Sequence, residues 1–218
     1  MTVRDRLRDR FVAAMIERGV LKFGDFTLKS GRKSPYFFNL GSIDDGAGLA
    51  MLGSAYAQAI VESGLPFPDV VFGPAYKGIA IAVAAAAALH TEYGRNVGVA
   101  YNRKEAKTHG EGGVLVGRAI RGRVLIVDDV MTAGTAVNEA VAIVRAAGGE
   151  VSGVLVALDR QEAIAPGVTA VTRMAAELEA PVYAIATLAD VIAYLDSHGG
   201  YADSLDRIRG YQRDFCVA

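Results

Sequence analysis

Short β-branched runs alternate along this chain with longer stretches whose apolar residues recur every three or four positions. Leu7, Phe11, Ala14 and Met15 have helical spacing and predict an opening helix over Arg4–Arg18, stopped by Gly19. Lys22–Leu28 and Pro35–Leu40 read as two short strands around a basic turn, Lys29–Ser34. Helices are predicted over Ala47–Ser63, Gly78–Tyr93, Gly134–Ala147, Ala170–Glu179 and Leu188–Leu195, with one more in the tail from Ala202 on. Strands are predicted over Asp69–Phe72, Val97–Tyr101, Val124–Val127, Val151–Leu158 and Pro181–Ala186. Asn102–Gly113 is polar, contains glycines and has no apolar period, so it reads as a loop, with Val114–Ile120 as the return strand of a hairpin.

Strand–helix alternation of this kind predicts an α/β fold with a mostly parallel sheet and right-handed crossovers. Ligands of such sheets bind beyond the carboxyl ends of the strands. Gly73–Lys77 and Asp128–Thr135 both follow predicted strands, so both should project onto that rim. No repeat, low-complexity tract or linker divides the chain, and 1–218 reads as one domain.

The segment VLIVDDVMTAGTA, Val124–Ala136, carries the densest chemistry. A β-branched run delivers Asp128 and Asp129 into a small-residue turn, Thr132-Ala133-Gly134-Thr135, that opens a helix. Free N–H groups and the positive end of the helix dipole make such a joint an anion site. Thr132 and Thr135 add hydroxyls, and Gly134 allows close backbone approach. Acids alone would repel a phosphate, but they can hold ribose hydroxyls directly or Mg²⁺ through water. The combination describes a site for a ribose 5-phosphate. Strands ending in Asp-Asp also occur in receiver domains, and TAGT also fits an ordinary helix cap.

Two further segments add cations. Gly73-Pro74-Ala75-Tyr76-Lys77-Gly78 is a second strand-to-helix turn, whose backbone and lysine suit a pyrophosphate or form a plain loop with a solvated lysine. Arg103, Lys104, Lys107 and His109 crowd the predicted 102–113 loop, beside Gly110, Gly112 and Gly113. Charge runs more often form a solvated face, but a long loop between two strands is also where a lid belongs.

These segments resemble the type I phosphoribosyltransferases, whose signature for phosphoribosyl pyrophosphate (PRPP) is similar to VLIVDDVMTAGTA. FTLKSGRKSPYFFNLG (Phe26–Gly41), VFGPAYKGIAIA (Val71–Ala82) and YNRKEAKTHGEGG (Tyr101–Gly113) resemble, in order, segments of the orotate phosphoribosyltransferases. The resemblance runs from Phe26 to Arg160. It implies a type I phosphoribosyltransferase fold with a small N-terminal hood (about 1–45) over the base and a flexible loop. It implies a pentosyltransferase that makes orotidine 5′-monophosphate and pyrophosphate from PRPP and orotate, with Mg²⁺, in pyrimidine biosynthesis. By the same resemblance PRPP would meet Lys29, Tyr76, Lys77, Arg103, Lys104, Lys107, His109, Asp128, Asp129, Val130, Met131, Thr132, Ala133, Gly134, Thr135 and Ala136. Orotate would meet Lys29, the Phe37-Phe38 backbone, Thr132 and Arg160. Lys107, Asp128 and Asp129 would be catalytic. The enzyme would be a homodimer in which Lys104 reaches the partner's site. Thr108 stands where many relatives carry an acid.

Composition changes the picture only at the edges. At 52% hydrophobic residues with mean hydropathy +0.27, the chain suits a buried parallel sheet. A formal charge of −1 gives no electrostatic footprint for nucleic acid. Cys216 is the single cysteine, so no internal disulfide can form and a reducing compartment, the cytoplasm, is expected. The N-terminal segment lacks an apolar signal core, and the most apolar run, Ile79–Leu89, is too short to span a bilayer. No histidine or cysteine spacing suggests a zinc site. The alternatives are a phosphoribosyltransferase for another base, a non-catalytic PRPP-sensing regulator and a subunit like PRPP synthetase.

Overall fold

The computed structural model describes residues 3–28, 30–107, 113–131 and 134–217, without the side chains of 3, 4, 106, 107 and 113. Helix α1 (Val3–Glu17) leads into an antiparallel hairpin, β1 (Leu21–Thr27) and β2 (Lys33–Phe38). Then follow α2 (Gly46–Glu62), β3 (Val70–Gly73), α3 (Lys77–Tyr93), β4 (Gly98–Lys107), β5 (Gly113–Gly117) and β6 (Arg123–Val130). The chain continues through α4 (Thr135–Ala146), β7 (Glu150–Asp159), a small hairpin of β8 (Ala163–Ala165) and β9 (Val168–Thr169), α5 (Ala170–Leu178) and β10 (Val182–Thr187). It closes with α6 (Leu188–His198) and α7 (Ala202–Phe215).

The central sheet has the order β10-β7-β6-β3-β4-β5. All its neighbours are parallel except β4 and β5, which form an antiparallel edge. Its central strands look uniformly apolar in sequence because both faces are covered. The two-residue period survives in where each side chain goes. Val71, Leu125, Val127, Leu155 and Ala157 enter a core shared with α1, α2, α3, α6, α7 and the β1–β2 hairpin. Val70, Phe72, Val124, Ile126, Val154 and Val156 enter a second core closed by α4 and α5. Among the described residues no helix is long and apolar enough to cross a membrane.

Two expectations need correction. The polar stretch from Asn102 is strand as far as Lys107, because β4 pairs with β5 (Asn102 opposite Leu115, Lys107 opposite Gly113). Backbone pairing carries an edge ribbon onward without an apolar face, so hydrophobic periodicity does not reveal it. Asp128 and Asp129 belong to β6 itself, which pairs with β7 through Val130, and so do not lie in the turn beyond it. The small β8–β9 hairpin is too short to give a periodic signal in the sequence.

Candidate active site

The end of β6 places two carboxylates differently. Successive strand residues face opposite sides, so Asp128 turns inward at 9% exposure while Asp129 is half-buried beside Lys77. The Tyr56 hydroxyl of α2, fully buried, donates to the Asp128 carbonyl oxygen at 2.7 Å. The Asp128 carboxylate accepts the Asp129 N–H at 2.9 Å. Burial, reinforced by the neighbouring Asp129 charge, pushes the Asp128 carboxyl up to about 6, against the pull of that N–H and of Lys77.

Lys77 opens α3 and joins several elements. Its Nζ lies 2.7 Å from Asp129 Oδ2 and 3.2 Å from Asn39 Oδ1, just past β2. Asn102 on β4 accepts the Ala75 N–H at 3.1 Å. The Ala75–Tyr76 peptide is cis. The turn's tightness explains its glycines. A Cβ on Gly73 would lie 1.9 Å from the Gly78 carbonyl oxygen, and one on Gly78 would lie 2.6 Å from Pro74 Cδ. Tyr76 stands 69% exposed, with the Lys104 ammonium 5.0 Å from its ring centre.

Beyond β6, Gly134 takes φ 78°, a left-handed conformation that glycine adopts readily, and starts α4. The first intrahelical bond there runs from the Asn138 N–H to the Gly134 carbonyl. The N–H groups of Thr135, Ala136 and Val137 precede it and so point off the helix end. Thr135 and Ala136 are exposed. Among the neighbours on the expected PRPP loop, Val130 is half-buried and the Met131 side chain is buried in the second core. Met131 can therefore offer a ligand only its main chain.

Arg160 follows β7 and is 6% exposed. Its Nε donates to Glu162 Oε1 at 2.6 Å and its Nη2 to Ser34 Oγ at 3.2 Å. The guanidinium lies 4.2 Å from the Tyr36 ring centre. The β1–β2 hairpin thus sits directly on the end of β7. Phe37 and Phe38 alternate as a strand requires: Phe38 enters the core, and Phe37, 37% exposed, stacks on Phe26 with ring centres 5.5 Å apart. Cys216 contacts the Arg160 carbonyl, and burial pushes its thiol up to about 11, which favours the protonated thiol at neutral pH.

Asp128, Asp129, Lys77, Tyr76 and Gly134 share the rim, joined through Lys77 to Asn39, while Phe37 and Arg160 mark its hairpin side. Arg103 is half-buried on β4. Lys29, His109, Thr132, Ala133 and the side chain of Lys107 lie outside the described residues. Sequence reasoning passed over Ser34, Asn39, Tyr56, Asn102, Glu162 and Tyr211. All but Glu162, which lies two residues from Arg160, act through contacts between residues far apart in the chain, and no local pattern marks them.

The sequence matches the phosphoribosyl transferase domain family over residues 39–187. It is 52% identical over 210 residues to an orotate phosphoribosyltransferase of Thioalkalivibrio sulfidiphilus, covering 96% of this chain and 98% of that one. The fold is similar to the crystal structure of a Francisella tularensis orotate phosphoribosyltransferase, with TM-score 0.84, 36% identity, and coverage of 95% and 99% of the two chains. It is also similar to a Mycobacterium tuberculosis orotate phosphoribosyltransferase in complex with PRPP, with TM-score 0.62, 26% identity, and coverage of 84% and 98%. A helix start that presents free amides beside a carboxylate pair, a lysine at that pair and these likenesses agree: the chain belongs to the phosphoribosyltransferase family.

Proposed function

We infer that this chain transfers the phosphoribosyl group of PRPP to orotate, giving orotidine 5′-monophosphate and pyrophosphate. The observation that carries the reading is the carboxylate pair at the end of β6, one short loop before the open N-terminus of α4. The 5′-phosphate takes the α4 amides with Thr132, Ala133, Gly134, Thr135, Ala136 and the main chain of Val130 and Met131. Asp128 and Asp129 hold the ribose hydroxyls and favour the positive charge that develops on the ring. The bond from the anomeric carbon to pyrophosphate breaks with its electron pair going to the pyrophosphate oxygen. A ring nitrogen of orotate bonds to that carbon, and its proton leaves to solvent; no residue is assigned as base.

Tyr76, Lys77, Arg103, Lys104, Lys107 and His109 meet the pyrophosphate, with Lys107 stabilising the charge that builds on it. Lys29, Thr132, the Phe37-Phe38 backbone and Arg160 take the base, Arg160 pairing with its carboxylate. Residues 1–45 serve as the hood over the base. In a homodimer Lys104 serves the partner's site, and a reducing, cytoplasmic setting suits the single cysteine. Among the described residues no three His, Cys, Asp or Glu side chains converge on one point. The two aspartates offer Mg²⁺ hard oxygen donors, and PRPP and water supply the remainder. Mg²⁺ neutralises pyrophosphate charge when bound.

The test follows the ultraviolet absorbance of orotate in the presence of PRPP and Mg²⁺, for wild type and Lys107→Ala. The expected result is a signal loss that needs both PRPP and Mg²⁺ and collapses in the variant. No change in the wild-type sample, with PRPP binding seen by calorimetry, would point to another base or to a PRPP sensor.

A further inference from the structure

The corner behind Arg160 joins the hairpin to Glu162 and α7, to which the reaction above gives no role. Glu162 is its hub. Its Oε1 accepts both the Arg160 Nε and the Tyr211 hydroxyl at 2.6 Å, and its Oε2 lies 3.3 Å from Arg32 Nη1. Tyr211 belongs to α7, and the chain after that helix is tied to the same segment. The Val217 N–H donates to the Gln161 carbonyl at 2.9 Å, and Glu162 pairs with Cys216 in an isolated antiparallel bridge. Arg32 in turn lies over the Phe215 ring at 4.9 Å. The C-terminal helix therefore backs the hairpin and Arg160 together.

The geometry decides which edge of Arg160 its own acid, Glu162, takes. A guanidinium offers two edges to a carboxylate, one through Nε and one through its two terminal nitrogens. Glu162 takes Nε. Ser34 holds Nη2 through one of its two hydrogens, and the Tyr36 ring fixes the plane from one face. Among the described residues no carboxylate other than Glu162 pairs with Arg160, so the terminal edge is where a second carboxylate can bind. A long arginine side chain without these anchors would spread over many rotamers and bind an anion less tightly. Tyr36 is fully buried, and its hydroxyl has no hydrogen-bond partner among the described residues, so its part in the corner is the ring face.

We propose that Glu162, held by Tyr211 of α7, is a positioning residue that aims the terminal edge of Arg160 at the carboxylate of the incoming base. The proposal rests on the reading that Arg160 binds that carboxylate. It makes the C-terminal helix part of the base site, acting through Arg160 without touching the substrate.

The test is steady-state kinetics of the full chain with PRPP and orotate for Arg160→Ala, Glu162→Gln, Tyr211→Phe and the Arg160→Ala/Glu162→Gln double variant, each checked by thermal melting. Arg160→Ala should raise the orotate KM most. Glu162→Gln should raise it about tenfold, the scale of one charge-assisted hydrogen bond, and Tyr211→Phe about threefold. The PRPP KM should stay at the wild-type value. In the double variant, Glu162→Gln should add nothing beyond Arg160→Ala, because its effect runs through that side chain. A wild-type orotate KM in Arg160→Ala would overturn the pocket reading and this proposal together. A raised KM there with wild-type values in both Glu162→Gln and Tyr211→Phe would overturn the proposal alone. Additive effects in the double variant, or a parallel rise in both KM values, would also overturn it by showing a merely structural role. Should Glu162→Gln fail to fold, Tyr211→Phe, alone and combined with Arg160→Ala, decides in its place.

Discussion

The two ends of the rim treat buried charge in opposite ways. At the β6 end the Asp128 carboxylate is buried with one backbone N–H, next to a second acid, and the cation that pulls on it, Lys77, sits against Asp129. At the β7 end Arg160 is buried with an acid, a hydroxyl and an aromatic face all in contact. The first end is electrostatically unfinished, and the second is almost complete. An unfinished buried charge costs the fold and favours a ligand that completes it. A completed one costs little and serves as a rigid fixture. The acids thus suit the centre where charge develops, while the arginine suits recognition.

The sharpest way to break this contrast is at Asp128. A carboxyl lifted from its ordinary 3.8 to about 6 penalises the native state by about 3 kcal/mol above pH 6. The unfolded chain releases that proton first as pH rises. The penalty is therefore absent below about pH 4, grows between pH 4 and 6, and is full above. Asp128→Asn should lower kcat/KM by about a hundredfold or more. It should also raise Tm at pH 7.5, with the gain fading as pH falls to 4; melting curves across that range check the sign. A lowered Tm at pH 7.5 would place the β6 acid among the satisfied charges.

Lys77→Ala comes next. Lys77 pulls the Asp128 carboxyl down, so its removal should move the acid limb of the kcat/KM profile above pH 6 and cut activity about tenfold at neutral pH. An unmoved limb would mean that the lysine serves Asp129 alone. Tyr56→Phe should have the smallest effect. It removes one buried hydrogen bond to the Asp128 carbonyl, costing about 1–2 kcal/mol in denaturant unfolding. Activity should stay within about threefold of wild type if the strand end holds its place.

Legibility in the sequence followed the range of the interactions. β3, β6 and β7 announced themselves because Val, Ile and Leu runs bury both faces. The acid pair stood out because two charges directly after such a run break its pattern. The outer half of β4 did not, since Arg103, Lys104 and Glu105 have no core face and the strand exists through pairing with β5. Asn39, inside a predicted strand, and Asn102, at the start of a predicted loop, showed no role until folding placed one on Lys77 and the other on Ala75. Arg160 was legible as a position but not as an environment, because Glu162 is near in sequence while Ser34 and Tyr211 are not.

Short-range chemistry, then, was determined by the sequence alone. It set the alternation of strands and helices, the carboxylates at the end of β6, the glycine that opens α4 and the tight turn at Gly73–Gly78. Those features depend on neighbours within a few residues. Tertiary structure alone decided which acid is buried, what surrounds Arg160 and that the C-terminal helix stands behind it. Burial, desolvation and the pairing of distant charges exist only once the chain has closed on itself.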